Sequence, residues 1–107
     1  MLKQFIATTT PLNAGQTFSS NGKIDQSFGD AKSLVGHARS DQEFSVKIEQ
    51  STDGTNWDYV TDYRSEPEGG GYQCGYEVPR LGVYARLRII CGTTNMTALR
   101  AVLHLQN

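Results

Sequence analysis

The chain has 107 residues and a formal net charge of -1, with Lys+Arg 10 against Asp+Glu 11. That length suits one domain. The balanced charge leaves no basic excess to neutralise a run of phosphates, which argues against nucleic acid as the main partner, and no stretch approaches the roughly 18 apolar residues of a membrane-spanning helix.

Lys3 to Thr9 reads as a strand or an extended arm, so 1–10 is taken as an N-terminal arm or edge strand and 11–107 as a single domain. One Lys and a very short apolar patch make a poor signal-peptide hydrophobic region, and no export signal is expected. Pro11 to Gly15 is a turn or loop. Gln16 to Ser19, Lys23 to Phe28 and Ser33 to Arg39 are short strand candidates separated by Asn-Gly and Gly-Asp pairs, with Asn21-Gly22 read as a hairpin turn. Glu43 to Gln50 alternates cleanly. Phe44, Val46 and Ile48 share a buried face, and Glu43, Ser45, Lys47 and Glu49 share a wet one.

Asp53-Gly54 then marks a turn, because Gly accepts the positive φ of tight hairpins. Trp57 to Arg64 follows, with Trp57, Tyr59 and Tyr63 on one parity. Gly71 to Val78 places Tyr72, Cys74, Tyr76 and Val78 on one face, and Pro79 and Gly82 punctuate a turn. Val83 to Ile90 faces Val83, Ala85, Leu87 and Ile89 inward and Tyr84, Arg86 and Arg88 outward. Gly92 to Asn95 is a loop. Ala98 to Leu105 is rich in helix formers, but strict alternation and the lack of a capping residue favour a strand. Short strands at regular spacing predict an all-β fold, a small antiparallel β-sandwich or jelly roll. Hydrophobic residues make up 37% of the chain, below the usual share of roughly 45–50%, so further burial against other subunits is expected.

Three groups of residues carry a resemblance. Pro11, Leu12, Ala14, Gly15 and Phe18 open the domain. Glu49, Ser51, Asp53, Gly54 and Trp57 form a hairpin, and Tyr84, Arg86 and Arg88 lie on a later strand. In this order they resemble small β-sandwich domains of tailed-phage structural proteins, of the decoration or tail accessory type, over roughly Pro11 to Leu105. The hairpin is also similar to part of the discoidin (coagulation factor 5/8 C-type) domain. The chain is shorter than such a domain and lacks a matching pair of Cys near its two ends, so no ligand loop carries over.

The chemistry-bearing residues are few. Two His and two Cys form no CxxC, HxxxH or HExxH spacing, so no zinc site is expected. Gly69-Gly70-Gly71 lacks the Lys-Ser/Thr ending of a nucleotide loop. Asp53, Asn56 and Asp58 match a calcium loop poorly, having no distal bidentate Glu. In the hairpin, Ser51 or Asp53 is expected to bind turn amides, Gly54 to take a left-handed conformation and Trp57 to close the core. Cys74 and Cys91 are read as buried reduced thiols, with a disulfide left open should their strands be neighbours. Neither His37 nor His104 is brought to a thiol by anything in the sequence. Asp58, Asp62, Glu66 and Glu68 read as solvated surface. Arg86, Arg88 and Arg100 form either a patch for an acidic partner or, preferably, cross-strand pairs with acids. Some of Tyr59, Tyr63, Tyr72, Tyr76 and Tyr84 belong to the core, and the rest are free to stack on a ligand.

The resemblance implies a non-enzymatic virion structural protein, a capsid decoration (cement) or tail/fibre accessory protein. It would bind neighbouring capsid or tail subunits and form a homo-oligomer, a trimer by preference. Assembly would occur in the bacterial host cytoplasm. Leu2, Phe5, Ile6, Arg86 and Arg88 are the interface candidates. No cofactor, metal, nucleic acid or membrane is expected. The alternative is a carbohydrate-binding module of a receptor-binding apparatus, with Tyr63 and Tyr72 stacking on glycan.

Overall fold

Where apolar residues fall on every second position, an extended chain places them all on one side, and the strand is stable only when that side is covered. This requirement sets the architecture. A computed structural model describes residues 2–24 and 31–106. Among these it contains nine strands: β1 (Leu2–Thr8), β2 (Thr17–Lys23), β3 (Ser33–Ser40), β4 (Phe44–Ser51), β5 (Tyr59–Arg64), β6 (Glu66–Glu68), β7 (Gly71–Pro79), β8 (Tyr84–Cys91) and β9 (Leu99–Gln106). They form a five-stranded sheet ordered β1-β9-β3-β7-β6 and a four-stranded sheet ordered β2-β8-β4-β5, every pair antiparallel.

The pairings are nested. β4 pairs with β5, β3 with β7, β2 with β8 and β1 with β9. The chain therefore behaves as one long antiparallel ladder folded over itself, its successive rungs dealt to alternate sheets. The two inner faces meet in one core. Leu34, Leu103 and Leu105 come from the five-stranded sheet and Val46, Ile48, Leu87 and Ile89 from the four-stranded one, all at most 1% exposed. Phe44, Tyr76 and Val78 fill the space around them.

One core contact depends on a missing side chain. Tyr76 on β7 sits opposite Gly36 on β3 and lies across it, and its hydroxyl donates to the Val102 carbonyl of β9 at 2.7 Å. A Cβ at residue 36 would run into both the Val102 carbonyl and the Tyr76 ring. Burial pushes the Tyr76 phenol well above its ordinary range, so it remains a donor.

The sequence reading is corrected in several places. Asn21-Gly22 is not a turn: both residues lie inside β2, opposite Arg86 and Ala85, because pairing along the whole of β8 outweighs local turn propensity. Gly22 also leaves room for the Phe5 ring, which stands 2.9 Å from where a Cβ would be. Of the strand expected over Lys23 to Phe28, Lys23 ends β2 and Ile24 is a buried residue beyond it; the remainder lies outside the described residues. The final segment, by contrast, is the strand expected, β9. The short β6, not anticipated, pairs Glu66–Glu68 with β7 at the edge of its sheet.

Candidate functional site

The β4–β5 connection is built around one hydroxyl and one carboxylate. Ser51 is fully buried. Its Oγ accepts from the amides of Asp53 at 3.2 Å and Gly54 at 2.8 Å, and donates to Asp53 Oδ1 at 2.9 Å. Asp53 Oδ1 also accepts from the amides of Thr55 and Asn56, both at 2.8 Å, and Oδ2 from the Asn56 side chain at 2.8 Å. The Asn56 and Thr55 amides therefore hold the Asp53 carboxyl well below the usual carboxylate range. Gly54 has φ 81°, where a side chain would be strained. The carboxylate is committed to the turn, and no group of three or more metal-ligating side chains occurs among the described residues.

Trp57 does not close the core. It precedes β5 and so escapes that strand's parity. It lies half-exposed on the outer face of the four-stranded sheet, where the Arg86 guanidinium carbon is 4.2 Å from its ring centroid. Beneath Arg86 lies Glu49, expected on the wet face but only 7% exposed. Its Oε1 accepts from Arg86 Nε at 3.0 Å, with Arg88 Nη1 at 3.5 Å. Register explains the grouping, since Glu49 is opposite Arg86 across β4 and β8. A buried carboxylate is tolerable because it is paired and covered. Arg86 and Arg88, named as interface candidates, are thus engaged within their own sheet.

The β1 candidates separate in the same way. Ile6 is buried and Phe5 packs against the core, whereas Leu2 is 54% exposed. β1 pairs with β9 of the same chain, with a register shift between Gln4 and Ile6. Neither tyrosine of the glycan alternative stands clear of the protein. Tyr63 is half-buried, its ring centroid 5.9 Å from that of Tyr76 and its hydroxyl donating to the Glu77 carbonyl at 3.2 Å. Tyr72 is partly buried against the core. Cys74 and Cys91 are both buried and free. Burial raises the Cys74 thiol above its ordinary pKa, with Glu66 adding to the effect, so it is a poor nucleophile. His37 aligns with Gly75 and Cys74 with Ala38, which places the imidazole and the thiol on opposite faces of the sheet.

The sequence reading named Tyr59 among the tyrosines free to stack on a ligand but did not single out the surface it belongs to, β5. This strand is the outer member of its sheet, pairing only with β4. All of its residues but Tyr63 are exposed, with Tyr59 at 41% and Val60 at 46%. Lys47 and Asp62, 2.8 Å apart, close the next row of the outer face. Tyr59 and Val60 therefore stand exposed in succession at the start of an open sheet edge, while Trp57 covers Arg86 on the outer face. Two successive exposed apolar residues at the strand's start were the available signal, since an ordinary half-buried strand would hide one of them.

The geometry defines a small antiparallel β-sandwich with an exposed apolar edge. The chain belongs to the YqxG N-terminal domain family: the family model described as uncharacterised protein YqxG N-terminal domain matches residues 1–105. Among solved structures the fold is similar to that of the PBSX exported protein XepA, with a TM-score of 0.72 and 18% sequence identity. The match covers 94% of this chain and 36% of that one, so the chain corresponds to about a third of the longer protein. No curated protein matches.

Proposed function

We propose that the chain is a non-enzymatic structural domain of a phage-type assembly, a capsid decoration or tail/fibre accessory module that binds neighbouring subunits through its sheet edges. The observation that carries this reading is β5: an outer strand with unpaired backbone groups along one side and Tyr59 and Val60 exposed at its start. Such an edge is a template for pairing with another chain unless charge or proline blunts it, and repeated copies multiply a weak contact into a stable one. The nested ladder supports the jelly-roll form of the sandwich. With β6 set aside, the sheets run 1-9-3-7 and 2-8-4-5, the wrapping used by many capsid domains. The resemblance of the sequence to tailed-phage sandwich domains points to the same setting, and the fold is similar to that of the PBSX exported protein XepA.

The test is the Tyr59→Ser/Val60→Lys double variant, compared with wild type by sedimentation velocity and thermal melting. Both side chains are exposed, so the fold should survive with little change in Tm. Loss of self-association at unchanged Tm is the expected result; unchanged self-association would remove β5 from the interface.

A further inference from the structure

At one end of the five-stranded sheet, charge is arranged against the pattern found elsewhere on the molecule. On the outer faces, basic residues meet acids: Lys47 pairs with Asp62, and Arg86 and Arg88 with Glu49. Arg39 of β3, by contrast, stands directly opposite Arg100 of β9. Like charges in that position disfavour the sheet. Among the described residues neither guanidinium meets a carboxylate.

The surroundings hold the pair in place without neutralising it. Arg39 Nη2 donates to the Glu68 carbonyl at 3.0 Å, which pins the guanidinium over the β6–β7 turn. Gly69 and Gly70 form that turn with φ 58° and 82°. At Gly71 a Cβ would come within 2.8 Å of the Ser40 carbonyl, so the backbone lies close against β3. A cavity of 360 Å³ opens here, lined by Arg39, Arg100, Asp41, Ala98 and the three glycines among others. Asp41 is the one carboxylate in the lining, and its oxygens are already hydrogen-bonded. It accepts from Thr97 Oγ1 at 2.6 Å, the Thr97 amide at 2.9 Å and the Ala98 amide at 3.1 Å. Glu66 lies further off, opposite Gln73, which separates it from Arg39.

We infer that this end of the sheet binds a small oxyanion, the carboxylate or phosphate group of a ligand no larger than the cavity, gripped by Arg39 and Arg100 above the Gly69–Gly71 turn. Guanidinium groups offer paired N–H donors that match such oxygens two at a time. The volume falls within the range of roughly 300–1,000 Å³ typical of small-ligand sites. A bound anion would also relieve the repulsion between the two arginines. The site lies on the five-stranded sheet and β5 in the four-stranded one, so its test does not depend on the β5 edge.

The experiment is an amide and arginine side-chain NMR titration of the folded chain with inorganic phosphate and, separately, glucuronate, at constant ionic strength. Saturable shifts at Gly69, Gly70, Gly71 and the Arg39 side chain are expected with at least one anion, and the tighter of the two names the preferred end-group. Arg100→Gln should weaken binding about tenfold, the loss expected for one charge-assisted pair of hydrogen bonds. Arg64→Gln, on the opposite sheet, should leave it unchanged. Thermal melts establish that each variant is folded. Absence of saturation with both anions, or equal shifts in the folded Arg39→Gln/Arg100→Gln variant, would overturn the assignment.

Discussion

At the scale of single residues, the structure rests on a few polar groups with fully assigned partners. Asp53 holds the β4–β5 turn and Asp41 holds the loop before β9. Hydrogen bonds from Thr97 lower the Asp41 carboxyl from 3.8 to about 2, and the Asn56 and Thr55 amides depress Asp53 further. A depressed carboxylate contributes stability that is fully present above the unfolded pKa and lost as pH falls through the folded one. Stability should therefore be flat above about pH 5 and decline from about pH 4 downward, and Asp41→Asn should flatten part of that decline. Melting temperature against pH, with the Thr97 amide signal as a local probe, checks both. Gly36→Ala should destabilise the fold by at least ~2 kcal/mol, because the added methyl meets backbone and the Tyr76 ring with no room to relax; chemical denaturation measures it. Trp57→Ala should cost about 1 kcal/mol through loss of the Arg86 stack and should leave the core packing signals unchanged, which would distinguish a surface cover from a core residue.

At the scale of elements, legibility followed coverage. β7, β8 and β9 alternate because one face is core and the other water, as does β4 from Phe44 to Ile48, and the inward residues there were read correctly from parity. The burial of Cys74 and Cys91 followed from the same pattern. Where a strand has little core to cover, the pattern fades. β2 carries Ser, Asn and Gly and is held by pairing with β8, so its Asn-Gly pair mimicked a turn. Glu49 lies on the wet parity yet is buried, because two arginines and an indole are stacked above it. Neither tertiary grouping is written in local spacing. The Arg39–Arg100 opposition was equally hidden, since only the β3–β9 register creates it.

The same distinction governs β1. A detachable arm could be removed without harm, but Ile6 is in the core and Phe5 packs over Gly22. Each such side chain contributes roughly 1.5–3 kcal/mol when buried. Deleting residues 1–9 is therefore expected to lower Tm sharply in a calorimetric scan; an unchanged Tm would return the segment to the status of a free arm.

At the scale of the whole molecule, the long nested ladder joins residues far apart in sequence, β1 to β9 and β2 to β8. It leaves a sandwich whose outer strand β5 is open. The proposed role as an assembly component rests on that edge being covered by a neighbour. Native molar mass by light scattering across a concentration series tests this most directly. A stable homo-oligomer, a trimer or larger closed ring, is the predicted result. A strict monomer at every concentration would contradict self-association through the β5 edge.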